Sequence, residues 1–350
     1  MSDDVVLTEE TVANQPLPQE EGSEQKTPET SPRVHKNKFK SNWRAWLYLS
    51  PAILLLLIFT VWPIINTIRI AFMVDQNGLT YSGLKEIGSG YAFHFSFDNF
   101  KNVVGFYRFN DCLKTTMLLT VLTVPISTML ALLIAVALNS IKWLKKILQT
   151  IFFLPYVTNT IAIGMVFMAM FHMVGGVSGT SYESVGIINT ILKAFGISPI
   201  DWVDGTSSYA ANIAVLTVYI VWNALPFKIL VLLGGLQSVN KQYYDAAKID
   251  GTSRFRTFWR ITVPLLSPMI AYVVITGFIG GFKEYSSVVG IFGTKMGPNY
   301  YEVDTIVGFV YESIERQSEG EASAAALILF LIIFAVTMIN LYVSKKKVHY

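Results

Sequence analysis

Six apolar runs, at roughly 48–72, 115–139, 150–173, 210–236, 265–291 and 322–343, constrain this 350-residue chain more than any other feature. Each is close to the length an α-helix needs to cross the hydrocarbon core of a bilayer, about twenty residues at about 1.5 Å rise. Within that core no water is available to a backbone N–H or C=O, so such runs close their hydrogen bonds internally as helices. The chain is 52% hydrophobic and 15% charged, whereas soluble domains carry about 25% charged residues. The expected fold class is an all-α integral membrane protein with six transmembrane helices.

Basic residues orient the runs, because cytoplasmic loops carry the excess of Lys and Arg. With the N-terminus inside, seventeen of the 27 basic residues fall in inside segments, among them Arg44, Lys142, Lys146, Lys241, Arg256 and Lys345 to Lys347. Seven fall outside, and Arg69, Lys228 and Lys283 lie within runs. Cytoplasmic N- and C-termini follow. Residues 1–40 are rich in Glu, Gln, Ser, Thr and Pro and bury too little apolar surface to fold, so a disordered cytoplasmic tail is expected there. The tail starts acidic and shows no apolar core before residue 45, unlike a secretory leader. Residues 41–350 are then one six-span domain. FSFDNFKNVV and GIINTILKAFGIS read as short amphipathic surface helices between runs.

Catalytic signals are missing. The four histidines are scattered, no HExxH pair occurs, and no GxxxxGK[ST] loop is present to cradle a nucleotide. Cys112 is the single cysteine, which excludes an intrachain disulfide and a multi-cysteine metal site. Its place near the outer end of the second run suggests that a membrane-impermeant thiol reagent reaches it from outside, provided the fold does not shield it. The chain is thus expected not to be an enzyme and to bind no metal or cofactor of its own.

Between the fourth and fifth runs lies DAAKIDGTSRFRTFWRITVP, Asp245 to Pro264. Ala246 and Ala247 permit close approach by another surface. Asp250-Gly251 supplies a tight turn. Phe255, Phe258, Trp259 and Thr262 then recur at helical spacing. This is a helix–turn–helix suited to lie on a membrane and dock a partner, with Asp250 placed to accept from amides opening the second helix. The segment resembles the EAA signature of binding-protein-dependent ABC importer permeases: EAA, two residues, DGA, five residues, F, two residues, I, one residue, LP. Asp245, Ala246, Ala247, Asp250, Gly251, Phe258, Ile261 and Pro264 stand in register, with Asp for Glu at 245, Thr for Ala at 252 and Val for Leu at 263.

Further stretches extend the resemblance to the sugar permeases of the maltose and glycerol-phosphate uptake group, over residues 45–345. They are FFLP opening the third run, Gly186 to Asn189, Trp222 to Phe227, and Phe282-Lys283 followed by Gly297-Pro298. The resemblance implies a type I ABC importer permease core in a bacterial cell membrane. It also implies a second homologous permease, two cytoplasmic ABC ATPases that bind the ATP and Mg, an extracytoplasmic binding protein, and a sugar substrate moved by alternating access. Nucleic acid has no place in it. Segment 241–264 would couple to an ATPase through Asp245, Ala246, Ala247, Asp250, Gly251 and Phe258.

A sugar offers hydroxyls and apolar C–H faces, so its path needs amide hydrogen bonding beside an aromatic surface. Trp222, Asn223 and Phe227 supply both. The family draws substrate contacts from the spans on either side of the EAA segment, which adds Gly280, Gly281, Glu284 and Tyr285. Glycines at 280 and 281 leave room for a ring or allow close helix packing. Lys283 and Glu284 are ionisable groups within a run, which usually face the bundle interior or water. Lys228 is expected to snorkel, or to bond a carbonyl freed by Pro226. Two alternatives remain: a glycerol-phosphate permease, for which Lys228 and Lys283 offer positive charge, and a stand-alone secondary transporter.

Overall fold

A computed structural model describes residues 43–73, 95–141, 145–172, 186–204, 206–294 and 303–347. The expected tail, residues 1–40, and the glycine-proline loop at 297–298 lie outside them. The described residues form fifteen α-helices: α1 (Trp43–Leu56), α2 (Trp62–Ala71), α3 (Asp98–Gly105), α4 (Tyr107–Ser140), α5 (Lys145–Val157), α6 (Thr160–Phe171), α7 (Ile187–Ala194), α8 (Tyr209–Ser238), α9 (Lys241–Ile249), α10 (Arg254–Thr257), α11 (Val263–Leu265), α12 (Ser267–Phe282), α13 (Ser286–Phe292), α14 (Ile306–Glu315) and α15 (Glu319–Lys347). Two π-helical turns, Leu57–Val61 and Phe258–Thr262, end two residues before Pro63 and Pro264. Proline lacks the N–H that would close the preceding turn, and the backbone widens there instead of breaking.

Four stretches are long and apolar enough to cross a membrane: Trp46–Ala71, Tyr107–Ser140, Tyr209–Ser238 and Glu319–Lys346. A fifth is the pair Arg254–Leu265 and Ser267–Phe282, bent by 69°. Two expected runs depart from a single rod. The third is split at Thr158–Asn159, where the Asn159 side chain leaves the helix path to accept from Ile161 and Ala162 N–H and so starts α6 afresh. The fifth breaks at Lys283 to Tyr285, between α12 and α13. The two amphipathic stretches are α3 and α7, as their pattern predicts.

α1, a unit by itself, exposes Trp46 to Leu49 and Leu54 to Leu56. In the rest of the chain α4 is the central element and packs on α8 and α12. Its buried face is a stripe of small polar residues, Thr116, Thr120, Thr123, Ser127 and Thr128. The hydroxyls of Thr116, Thr120, Ser127 and Thr128 each bond a carbonyl one turn back in their own helix, as Thr116 does to Cys112 at 2.7 Å and Thr128 to Val124 at 2.7 Å. Hydroxyls satisfied in this way can be buried, and their small size lets neighbouring helices come close. Three apolar clusters follow: α6, α8 and α13 around Tyr219 and Leu216; α4, α14 and α15 around Phe109 and Phe309; and the ends of α4 and α8 with the start of α12, around Leu232 and Leu266.

A buried charge cluster closes one end of α4. Arg108 donates to Asp304 at 2.8 Å and also pairs with Glu312, all three side chains being almost fully enclosed. Burial pushes the Asp304 carboxyl up to about 6, and the Arg108 guanidinium opposes that rise. Cys112 sits one turn along α4 from Arg108 and is 1% exposed. The expectation that a thiol reagent reaches it is therefore corrected: the packed ends of α4 and α14 seal it.

The GxxN stretch has a packing role. The Asn189 side chain bonds both N–H and C=O of Ile200 at 3.1 and 2.9 Å and accepts from Trp202 Nε1 at 3.1 Å, fixing the loop after α7. Gly186 donates to the His172 carbonyl, and a Cβ on it would lie 2.6 Å from that oxygen.

Candidate functional site

Two features converge on α8 and α12: the folded segment that joins them and a cavity between them. In the segment, the Asn240 side chain accepts from Gln242 N–H and starts α9. The chain leaves α9 through Asp250, and Gly251 takes φ of +67°, where a Cβ would be strained. Its N–H bonds Lys248 O, and Thr252 N–H bonds Ala247 O at 2.9 Å, which closes the end of α9. The second helix starts at Ser253, whose hydroxyl accepts from Arg256 N–H. Ser253, not Asp250, is thus the capping residue. Asp250 sits three residues too early, where it ends α9.

Within this segment Ala247 is buried and Ala246 exposed. Asp245 pairs with Lys248 at 3.0 Å on the open surface. Phe258 packs on the cluster at the ends of α4 and α8, while Ile249, Phe255 and Trp259 are 88%, 75% and 50% exposed. The aromatic face expected over Phe255, Phe258, Trp259 and Thr262 is therefore divided. Phe258 and Thr262 anchor the segment to the bundle, and Phe255 and Trp259 project from it. The π turn rotates the residues after Thr257 away from strict α periodicity.

The cavity, of about 310 Å³, is lined from α4 by Thr123, Val124 and Ser127, from α5 by Tyr156, and from α8 by Ile220, Asn223, Ala224, Phe227 and Lys228. From α12 come Thr276, Gly277, Gly280 and Gly281, with Glu284 and Ser287 at the break beyond it. Of the seven path residues named from sequence, Asn223, Phe227, Gly280, Gly281 and Glu284 come together here. Trp222 and Tyr285 do not. Trp222 turns about 100° from Asn223 and packs on Phe167 of α6, with ring centroids 5.3 Å apart. Tyr285 lies in the link between helices and stacks on Tyr311 of α14 at 4.6 Å.

The two glycines have different roles. A Cβ on Gly281 would meet the Thr120 side chain at 2.8 Å, so this glycine lets α12 approach α4. Around Gly280 nothing lies within 4 Å of a built Cβ, so it leaves open space. Gly277 is also a close approach, facing Val124 and the Lys228 Nζ at 3.1 and 3.2 Å.

Lys228 neither snorkels nor bonds the carbonyl that Pro226 frees. It is 4% exposed, and its ammonium crosses to α4, donating to Ser127 Oγ at 2.7 Å, Thr128 Oγ1 at 2.9 Å and Val124 O at 3.2 Å. An ammonium has three N–H donors, so this accounts for all of them. The Glu284 carboxylate accepts from Tyr285 and Ser287 N–H through Oε1, at 3.2 and 3.1 Å. It thus satisfies amides left open by the break. Lys283, its neighbour, is exposed and does not line the cavity.

Thr123, Ser127, Thr276 and Tyr156 were not named from sequence. The first two belong to the Thr/Ser stripe on the second run, whose three- and four-residue spacing is visible in the sequence. Tyr156 gives no such signal.

A family model described as "Binding-protein-dependent transport system inner membrane component" matches residues 124–349. The arabinooligosaccharides transport system permease protein AraP of Halalkalibacterium halodurans is 29% identical over 302 residues, covering 85% of this chain and 87% of that protein. The sn-glycerol-3-phosphate transport system permease protein UgpA of Agrobacterium fabrum is 27% identical over 307 residues, covering 87% and 96%. A chain in the crystal structure of a bacterial alginate ABC transporter, in complex with alginate pentasaccharide-bound periplasmic protein, matches with a TM-score of 0.71 at 19% identity, covering 87% and 94%. That last likeness is one of fold.

Proposed function

Since the chain belongs to the family of binding-protein-dependent transport system inner membrane components, we propose that it is the permease subunit of an ATP-driven importer that carries a sugar or oligosaccharide into a bacterial cell. One observation carries this reading. The segment Asp245 to Pro264 is a capped helix–turn–helix with apolar side chains projecting from it, and its second half runs into α12, which lines the cavity. A push on the segment is thereby transmitted along α12 to the residues facing the substrate.

In this reading the chain has six spans with both termini in the cytoplasm. α5 and α6 form the third span, and α12 with α13 the fifth. Segment 241–264 docks one of two ATPase subunits, which bind the ATP and Mg. A second permease completes the path, and a binding protein delivers substrate from outside. Asp245, Ala246, Ala247, Asp250, Gly251 and Phe258 shape the docking segment. Asn223, Phe227 and Glu284 face the cargo, and residues 1–40 take no part. ATP closes the ATPase pair, the docked segments move with it, and the permeases open outward; hydrolysis restores the inward state. Names of relatives support a carbohydrate cargo.

A second cargo, glycerol phosphate, has Lys228 in its favour. Against it, the ammonium's donors are all engaged by α4, and Glu284 brings a negative charge to the same cavity.

The complete importer in proteoliposomes, with ATP inside and the loaded binding protein outside, tests the reading. Labelled sugar should accumulate only when both are present. Accumulation driven by an ion gradient without ATP would overturn it. Orientation is tested with a thiol reagent that does not cross membranes: Lys193→Cys should label in intact cells and Lys248→Cys only after permeabilisation, and the reverse would invert the topology.

A further inference from the structure

The cavity does not end at its α12 lining. Tyr156 of α5 and Phe227 of α8 lie with ring planes 18° apart and centroids 6.3 Å apart, and Phe227 is followed at 6.4 Å by Tyr272 of α12. Three helices thus contribute one ring each to a row that starts in the cavity wall. Tyr272 is one helical turn before Thr276 and continues the lined face of α12 toward the folded segment. From Gly280 to Tyr272 is eight residues, about 12 Å along the helix. The Phe227 and Tyr272 planes are tilted by 50°. Tyr156 and Tyr272 are 60% and 49% exposed, while Phe227 is half-buried between them.

We propose that Tyr156, Phe227 and Tyr272 form an aromatic rail on which successive rings of a carbohydrate chain stack as it leaves the cavity toward the cytoplasm, making the permease selective for glycans of two or more rings. The inference rests on the carbohydrate reading above. A sugar ring presents its axial C–H groups to the electron-rich face of an aromatic ring, a contact that is sequence-tolerant and weakly directional. Such a surface holds a moving chain without trapping it. Polar recognition remains with Asn223 and Glu284 in the cavity, one end of the row, so one ring can bind there while the next lies on the rail. A single ring engages the cavity alone and gains nothing from Tyr272.

The test uses the complete importer in proteoliposomes and a panel of labelled arabino-, malto- and galacto-saccharides of one to five rings, each competed against the others. Tyr272→Ala should lower uptake of chains of two or more rings by at least about threefold. It should leave the single sugar and the ATPase activity of the assembled complex unchanged, and Tyr272→Phe should restore uptake. Tyr156→Ala should act in the same direction. A loss equal at every chain length, or normal uptake of long chains by Tyr156→Ala/Tyr272→Ala, overturns the rail and leaves the carbohydrate reading intact. If the unaltered importer moves no member of the panel while it hydrolyses ATP, the carbohydrate reading fails, and the rail with it.

Discussion

Gly164 of α6 and Gly290 of α13 meet backbone to backbone: a Cβ on Gly164 would stand 2.6 Å from the Gly290 carbonyl carbon and 2.7 Å from its Cα. These are the second halves of two interrupted runs, one cut at Asn159 and the other at Lys283 to Tyr285. Their contact binds two short helices, each with less than a full span of neighbours, into one unit. Backbone cannot move aside as a flexible side chain does. Gly164→Ala should therefore cost about 1–3 kcal/mol, the usual range for overpacking, seen as a lower melting temperature in detergent. Gly280→Ala, with open space around the added methyl, should melt as the unaltered protein does. Equal melting of both variants would show that α6 and α13 are not held this closely.

The Lys228 bridge gives a second prediction. Ser127→Ala removes one of three acceptors from a buried ammonium, which should cost about 1–3 kcal/mol. Thr128→Val should act similarly, because it removes another acceptor at nearly constant volume. Ser140→Ala, where the hydroxyl is exposed and bonds only its own helix, serves as the reference with no measurable change. Melting curves in detergent decide this. Unchanged stability in both bridge variants would mean that α4 does not hold Lys228.

Asp304 makes stability depend on pH. Its carboxyl is pushed up to about 6 from the ordinary aspartate range, chiefly by burial. The folded state thus holds this proton more tightly than the unfolded state does. The resulting stabilisation is full below about pH 4 and is lost as pH rises through about 6, up to about 3 kcal/mol in all. Melting temperature should fall across that window in the unaltered protein, and Asp304→Asn should flatten the dependence. A melting temperature that rises between pH 4 and 6 through Asp304 would mean that the Arg108 pairing outweighs burial.

Gly251 gives a test of the proposed coupling. At φ +67°, Gly251→Ala should cost the folded turn about 1–2 kcal/mol, leaving uptake reduced. Gly251→Pro forbids the conformation and deletes the N–H that bonds Lys248 O. That variant should reach the membrane in normal amount yet fail to import. Normal uptake by well-expressed Gly251→Pro would remove the turn from the coupling path.

Much of this architecture could be read along the chain. Hydrophobic length marked the helices, since twenty apolar residues have few other solutions. The turn at Asp250-Gly251 was legible because the backbone there needs a residue without a Cβ. The breaks were harder. Asn159 interrupts the third run by capping α6, and nothing in the apolar pattern distinguishes a capping Asn from one within a helix. Pro63 and Pro264 stand in the sequence, but the π turns by which the chain accommodates them do not show there.

By itself the sequence determined the helical class, the charge-biased ends of the runs and the folded segment between α8 and α12. Each rests on residues within a few turns of one another, where backbone hydrogen bonding, side-chain size and φ preferences act locally. Only the tertiary structure decided that Asn223 faces the cavity while Trp222 packs on Phe167, that Gly280 leaves space while Gly281 admits Thr120, and that Lys228 bonds α4 across about a hundred residues of chain. Neighbouring residues on a helix differ by about 100°. Which of them meets a cavity, and which a packed helix, is set by the rotation of one helix against another, and that rotation is fixed by contacts between parts of the chain far apart in sequence.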